Sequence, residues 1–215
     1  MKLEITKACA DSLRAFTQNN YGITLKSSHA HELVSAYLGY SSRATLLADT
    51  KFSIDNLADA EIIILSPPTR LVDQRLKTLE NLPSGLPTSD ILAEGVYAPI
   101  VADEQFFRKI WPGFREVAIA LAEERGYEKL RMMGMNPKEL DWITDVIIKT
   151  TESVVLMTVT FDYPANTKKS QRYSKVEITL SRIASGIGYT ALEVKPTFYH
   201  GNMTDPDFRV KHGID

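Results

Sequence analysis

From residue 155 to residue 163 every second residue is apolar. Val155, Met157, Val159, Phe161 and Tyr163 carry the pattern, and Thr158, Thr160 and Asp162 stand between the later ones. A strand points successive side chains to opposite faces, so this pattern reads as a sheet with one dry and one wet face. Such sheets are antiparallel, because parallel ones are covered on both sides. Residues Lys175 to Ile183 repeat the pattern, with Val176, Ile178 and Leu180 against Lys175, Glu177 and Thr179. A further strand runs from Tyr189 to about Tyr199, with Leu192 and Val194 opposite Glu193 and Lys195. Trp142 to Thr150 precedes them, joined to the second strand by Glu152-Ser153. The short links predict an antiparallel four-stranded meander over about 142–200.

Upstream the period is helical. Ile5, Cys9, Leu13 and Phe16 recur every three or four residues and share a face. Ser27 and Ser28 offer N-caps for a second helix burying Leu33, Val34, Tyr37 and Leu38, and Gly39 suits its left-handed end. Ser41 or Ser42 caps a third, short helix with Leu46 and Leu47. Glu61 to Leu65 reads as a short buried strand, stopped by Ser66-Pro67-Pro68. Central helices follow, over Leu71 to Leu82, 89–97, Phe106 to Trp111 and Phe114 to Ala122, with a loop at Pro83 to Pro87. The fold class is therefore α+β, with an N-terminal helical cap, central helices and the C-terminal sheet. Residues 1–60 form the N-terminal helical module. If the 61–65 strand joins the sheet, residues 61–215 form one α+β domain.

Composition narrows the function classes. The formal charge is −2, without the basic excess of a protein that lives on nucleic-acid backbone, so any such grip must be local. A single cysteine, Cys9, excludes internal disulfides and four-cysteine metal sites. Cys9 lies on the apolar stripe of the first helix, as a structural thiol does. No apolar run is long enough to span a bilayer, and no secretory h-region follows Met1, so a cytoplasmic protein is expected.

The run Ser28-His29-Ala30-His31-Glu32-Leu33-Val34-Ser35-Ala36-Tyr37-Leu38-Gly39-Tyr40-Ser41-Ser42, followed by Leu46, resembles the N-terminal extension of proteobacterial glyoxalase-superfamily proteins and of plasmid- and prophage-encoded proteins. The resemblance covers residues 28–47, about a tenth of the chain. It implies a bacterial protein carried on a mobile element. It does not imply glyoxalase activity, since no repeated βαβββ metal-binding pattern accompanies it.

Several clusters could carry chemistry. His29 and His31 are two residues apart, a spacing that separates them around a helix rather than joining them on a metal. Glu32 to Leu47 has helix-turn-helix character, but its second helix offers Arg43 and then small and apolar residues, which suit packing better than base reading. Glu193-Val194-Lys195 matches the acidic-x-Lys half of a metal-dependent nuclease site, with Asp162 as the upstream acid. About two such triplets are expected by chance in this composition, and two occur, the other being Asp49-Thr50-Lys51. Lys168, Lys169, Arg172, Tyr173 and Lys175 form one basic cluster between strands, able to meet nucleic acid or another polyanion. Phe106, Phe107 and Trp111 could be core or a partner-binding patch. Gly186-Ile187-Gly188 reads as a turn. Phosphate-loop, dinucleotide and Ser-nucleophile motifs are absent, and no cofactor or metal is expected.

The residues thus point to a non-enzymatic protein-interaction or accessory subunit of a bacterial or mobile-element system, acting on a protein partner or as a homo-oligomer. A nucleic-acid-binding accessory protein and a metal-dependent nuclease are the alternatives.

Overall fold

Apolar spacing in the first half produces helices that bury one stripe each. The structure, a computed structural model, describes residues 2–126, 143–163 and 171–201. Helix α1 spans Lys2–Tyr21 and buries Cys9 and Leu13 completely. Helix α2 spans Ser27–Tyr37 and α3 spans Arg43–Ala48. Ser27 and Ser28 lie inside α2, and Lys26 flanks it with no side-chain cap. Ser42 does cap α3: Thr45 N donates to Ser42 Oγ at 3.2 Å, and Ser42 N donates to Thr45 Oγ1 at 3.1 Å. This reciprocal box satisfies two donors that the helix start would otherwise leave free. Between them Gly39 adopts φ 89°, and the Gly39 and Tyr40 amides close back on Ala36 O and Ser35 O.

A 3₁₀ turn over Ile54–Asp59 leads into strand β1, Ile62–Ile64, whose three isoleucines are buried. Helices α4, Thr69–Thr78, and α5, Ser89–Ala102, follow. Buried Tyr37 ties α2 to α5: its hydroxyl donates to Ser89 O, its carbonyl accepts from Tyr97 Oη at 3.1 Å, and the two rings meet edge-on. The helix expected from Phe106 to Trp111 is not formed. Glu104–Phe106 is a 3₁₀ turn, and Ile110–Trp111 is strand β2. Six residues are too few for spacing to separate helix from strand, and the free edge of β1 decides it. Ile63 N donates to Lys109 O at 2.7 Å and Leu65 N to Trp111 O at 3.1 Å, as a parallel ladder requires.

Helix α6 spans Phe114–Leu121 and continues as a π-helical turn, Ala122–Gly126. Strands β3, Ile143–Thr150; β4, Val154–Tyr163; β5, Gln171–Ala184; and β6, Gly188–Gly201, complete the described elements. The fold is α+β. The sheet has six strands among the described residues, in the order β2-β1-β6-β5-β4-β3. The expected four-stranded meander is therefore corrected to a six-stranded mixed sheet. Short β1 and β2 join it, and β1 runs parallel to β2 but antiparallel to β6.

The chain divides into two compact units, Met1–Gly113 with Arg182–Thr190, and Phe114–Ser181 with Ala191–Asp215. In the first, the β5–β6 turn is clamped to the α2–α3 corner. Gly186 N donates to Leu38 O at 2.8 Å and Ser185 N to Phe52 O at 2.7 Å. The Arg182 guanidinium lies 4.6 Å from the Phe52 ring centre and 5.7 Å from that of Tyr40. Tyr40 Oη donates to Asp49 Oδ2 at 2.7 Å. In the second, α6 packs against β3 and β4 with Val117, Ala118 and Leu121 buried. Val155, Met157, Val159 and Phe161 of β4, with Val176, Ile178 and Leu180 of β5, form the dry face of the sheet.

Candidate functional site

The wet face of the second unit carries a depression of about 500 Å³. A tight hairpin sets its register: Thr151 N donates to Val154 O at 2.8 Å, and Val154 N donates to Thr151 Oγ1 at 3.0 Å. Turn geometry and alternation then fix every side chain's face. Ile147, Thr158 and Glu177 form one cross-strand row, and Lys149, Leu156 and Thr179 the next. Asp145, Thr160 and Lys175 form a third. Strand β6 adds Glu193 and Lys195 to the lining.

Two features distinguish this face from an ordinary solvated one. Its middle is apolar: Ile147 and Leu156 are each 46% exposed, and their diagonal register places them about 7–8 Å apart. Its surround mixes both signs of charge. Lys175 Nζ pairs with Glu177 Oε1 at 2.9 Å. Lys149, Glu193 and Lys195 are exposed and make no ion pair among the described residues. Water reaches and screens these charges. The face thus has an apolar centre inside a polar, charged rim.

Of the basic cluster, Lys175 lies in this depression, half-buried in β5. Arg172 and Tyr173 belong to β5 itself, paired with Tyr163 and Asp162, rather than to a loop. Lys168 and Lys169 lie outside the described residues, as do the side chains of Arg172 and Tyr173. In the nuclease trio, Glu193 and Lys195 share the wet face of β6, and the side chain of Asp162 lies outside the described residues. Among the described residues no three His, Cys, Asp or Glu side chains gather as a metal site would need. The aromatic trio is split. Phe106 is 1% exposed and belongs to the core, Phe107 is 76% exposed, and Trp111 is half-buried in β2. Phe106 and Phe107, neighbours in a short turn, thus point apart.

The helical hairpin is tied down by Glu32. Glu32 Oε2 accepts from the Arg43 amide at 3.0 Å and pairs with the Arg75 guanidinium, tying α2 to α3 and α4. Buried His29 and half-exposed His31 lie on that same helix without a shared ligand position. Burial pushes the Cys9 thiol up to about 12, which leaves it unreactive. The first unit also holds a smaller, mostly apolar pocket of about 260 Å³ between Ile5, Ala8, Ala58, Pro99 and Phe106, with Asp55 and Asp103 at its wall.

The strand-face charges were readable from sequence, and so were Thr158 and Thr160. Ile147 and Leu156 were missed. Their signal is parity: Leu156 is an apolar residue on the same side of β4 as two threonines, where alternation calls for a polar one. Among the described residues no helix is long and apolar enough to cross a membrane. Comparison with protein-family models, curated proteins and solved structures finds no match, so the resemblance of residues 28–47 stands on those residues alone.

Proposed function

We propose that this chain works by protein contact, as a non-enzymatic interaction subunit whose docking surface is the wet face of β3 to β6. The exposed Ile147–Leu156 pair inside a rim of lysines and glutamates supports this reading. The fitting partner is a protein segment that brings an apolar side chain to that pair and flanking charges of both signs. Truncating or charging a central apolar anchor removes more binding energy than altering the rim. The test compares wild-type protein and Leu156→Glu as affinity baits in the native host. A protein retained by wild type and lost by the variant, and binding purified wild-type chain directly, supports the proposal. Identical retention by both, with both folded, removes it.

A second reading has one observation in its favour: Lys149, Lys175 and Lys195 line the same depression. Three lysines on a polar face can meet a polyanion, although Glu177 and Glu193 oppose this. Salt-dependent binding of single-stranded nucleic acid that weakens in Lys149→Ala and Lys195→Ala would carry it. Indifference to both substitutions would end it.

A further inference from the structure

Strand β3 closes one end of the sheet order, and among the described residues no strand pairs with its outer edge. It is eight residues long, with a register shift between Ile143 and Asp145 that leaves Asp145–Thr150 as the regular run, whereas β2 at the opposite end has two. An edge of this length is a template for another strand unless it is blunted by proline, a covering element or unfavourable charge. Ile147 is 46% and Ile148 38% exposed on it.

The direction of its free backbone groups follows from the hairpin. The bond from Thr151 N to Val154 O makes residues 151 and 154 a hydrogen-bonded pair. Bonded and non-bonded pairs alternate along an antiparallel ladder. Hence Lys149, Ile147 and Asp145 turn their backbone groups toward β4, and Thr150, Ile148 and Val146 turn theirs outward.

The sequence Asp145-Val146-Ile147-Ile148-Lys149 is complementary to itself when reversed about Ile147. Set antiparallel to a second copy with Ile147 opposite Ile147, Asp145 faces Lys149 and Lys149 faces Asp145. Val146 then faces Ile148 on the other side of the sheet. This register makes Val146–Ile148 the hydrogen-bonded pairs, and those are the residues whose backbone groups point outward. Moving the axis by one residue sets charge against isoleucine, and moving it by two sets Asp145 against Asp145 or Lys149 against Lys149. Charge pairing and apolar pairing therefore select one register, and the backbone phase permits it.

We infer that β3 pairs with β3 of a second copy of this chain, antiparallel about a twofold axis at Ile147. An isologous contact of this kind closes at two subunits. It would set two wet faces edge to edge in one continuous sheet, and in that respect it rests on the contact surface proposed above.

The test uses purified full chain and sedimentation velocity. Wild type is expected to be dimeric. Asp145→Lys and Lys149→Asp each place like charges opposite one another twice per dimer, and each should weaken the dimer by about tenfold. The double variant Asp145→Lys/Lys149→Asp restores both pairs and should recover the wild-type constant. Ile147→Cys should form a disulfide-linked dimer under diamide, because non-bonded antiparallel pairs hold their Cα atoms about 4.5 Å apart, within disulfide range. Buried Cys9 leaves position 147 as the reactive thiol. A chain that is monomeric throughout, or a dimer that neither cross-links at 147 nor recovers in the charge-swapped variant, overturns the inference. A monomer that still loses its partner on Leu156→Glu would leave the contact surface standing and remove the edge pairing alone.

Discussion

Leu156 and Met157 are chain neighbours of similar volume with opposite fates. Met157 is 1% exposed on the dry face of β4, and Leu156 is 46% exposed on the wet one. Replacing each with alanine separates folding from contact. Met157→Ala removes a fully buried side chain and leaves a cavity, a change that typically costs about 2–5 kcal/mol. In a chain of this length that corresponds to a fall in melting temperature on the order of 5–15 °C. Leu156→Ala gives up a side chain still half in water, and surface changes of that kind stay within about 0.5 kcal/mol. The readout is the urea midpoint of each variant followed by circular dichroism, with the slope checked against wild type. A large midpoint shift for Met157→Ala beside a small one for Leu156→Ala supports the face assignment. Equal shifts would refute it, since Leu156 would then be covered and could not greet a partner.

Other perturbations probe the scaffold. A Cβ on Gly186 would stand 2.8 Å from Leu38 O and 3.3 Å from Gly39 Cα, both backbone atoms. Gly186→Ala must therefore move the turn and stretch its 2.8 Å bond to Leu38 O, at about 2–4 kcal/mol, measurable by thermal melting. Cys9 should resist thiol reagents in native protein and react at once in urea, because it is wholly buried. Burial, aided by nearby Arg43, holds His31 below its ordinary value of 6.5. The folded chain thus binds that proton less readily than the unfolded chain. Its contribution is full above about 6.5 and is lost as pH falls through the lowered folded value. Stability measured from pH 7 to 5 should fall less steeply in His31→Gln than in wild type.

Alternation made the long strands legible, because a pattern of period two sustained across a whole segment fits little else. Strand β4, Val154–Tyr163, contains all of the alternating run from Val155 onward. The α2–α3 corner was legible for a similar reason, since Gly39 and Ser42 supply local chemistry that few other conformations use. Strand β2 was not. Ile110 and Trp111 sit among aromatics at helical spacing, and only the edge of β1, some 45 residues earlier, makes them a strand. Strand β1 was legible within Glu61 to Leu65 and does join the sheet, whereas its parallel pairing with distant β2 leaves no local mark. The wet face was half legible. Its charges follow from alternation, but Ile147 and Leu156 join it only once the register puts them beside Thr158 and Lys149. The aromatic cluster was open between core and surface on spacing alone, and the 3₁₀ turn sends Phe106 inward and leaves Phe107 in water.

The claim that matters most is that the wet face of β3 to β6 meets another protein. Site-specific photo-cross-linking in the native host tests it whatever the partner's identity. A benzophenone side chain at position 156 is compared with one at Ala44, an exposed residue of α3. The expected result is a discrete higher-mass protein adduct from position 156 and none from position 44. No adduct at 156 above the level at 44, in folded protein, would contradict the account.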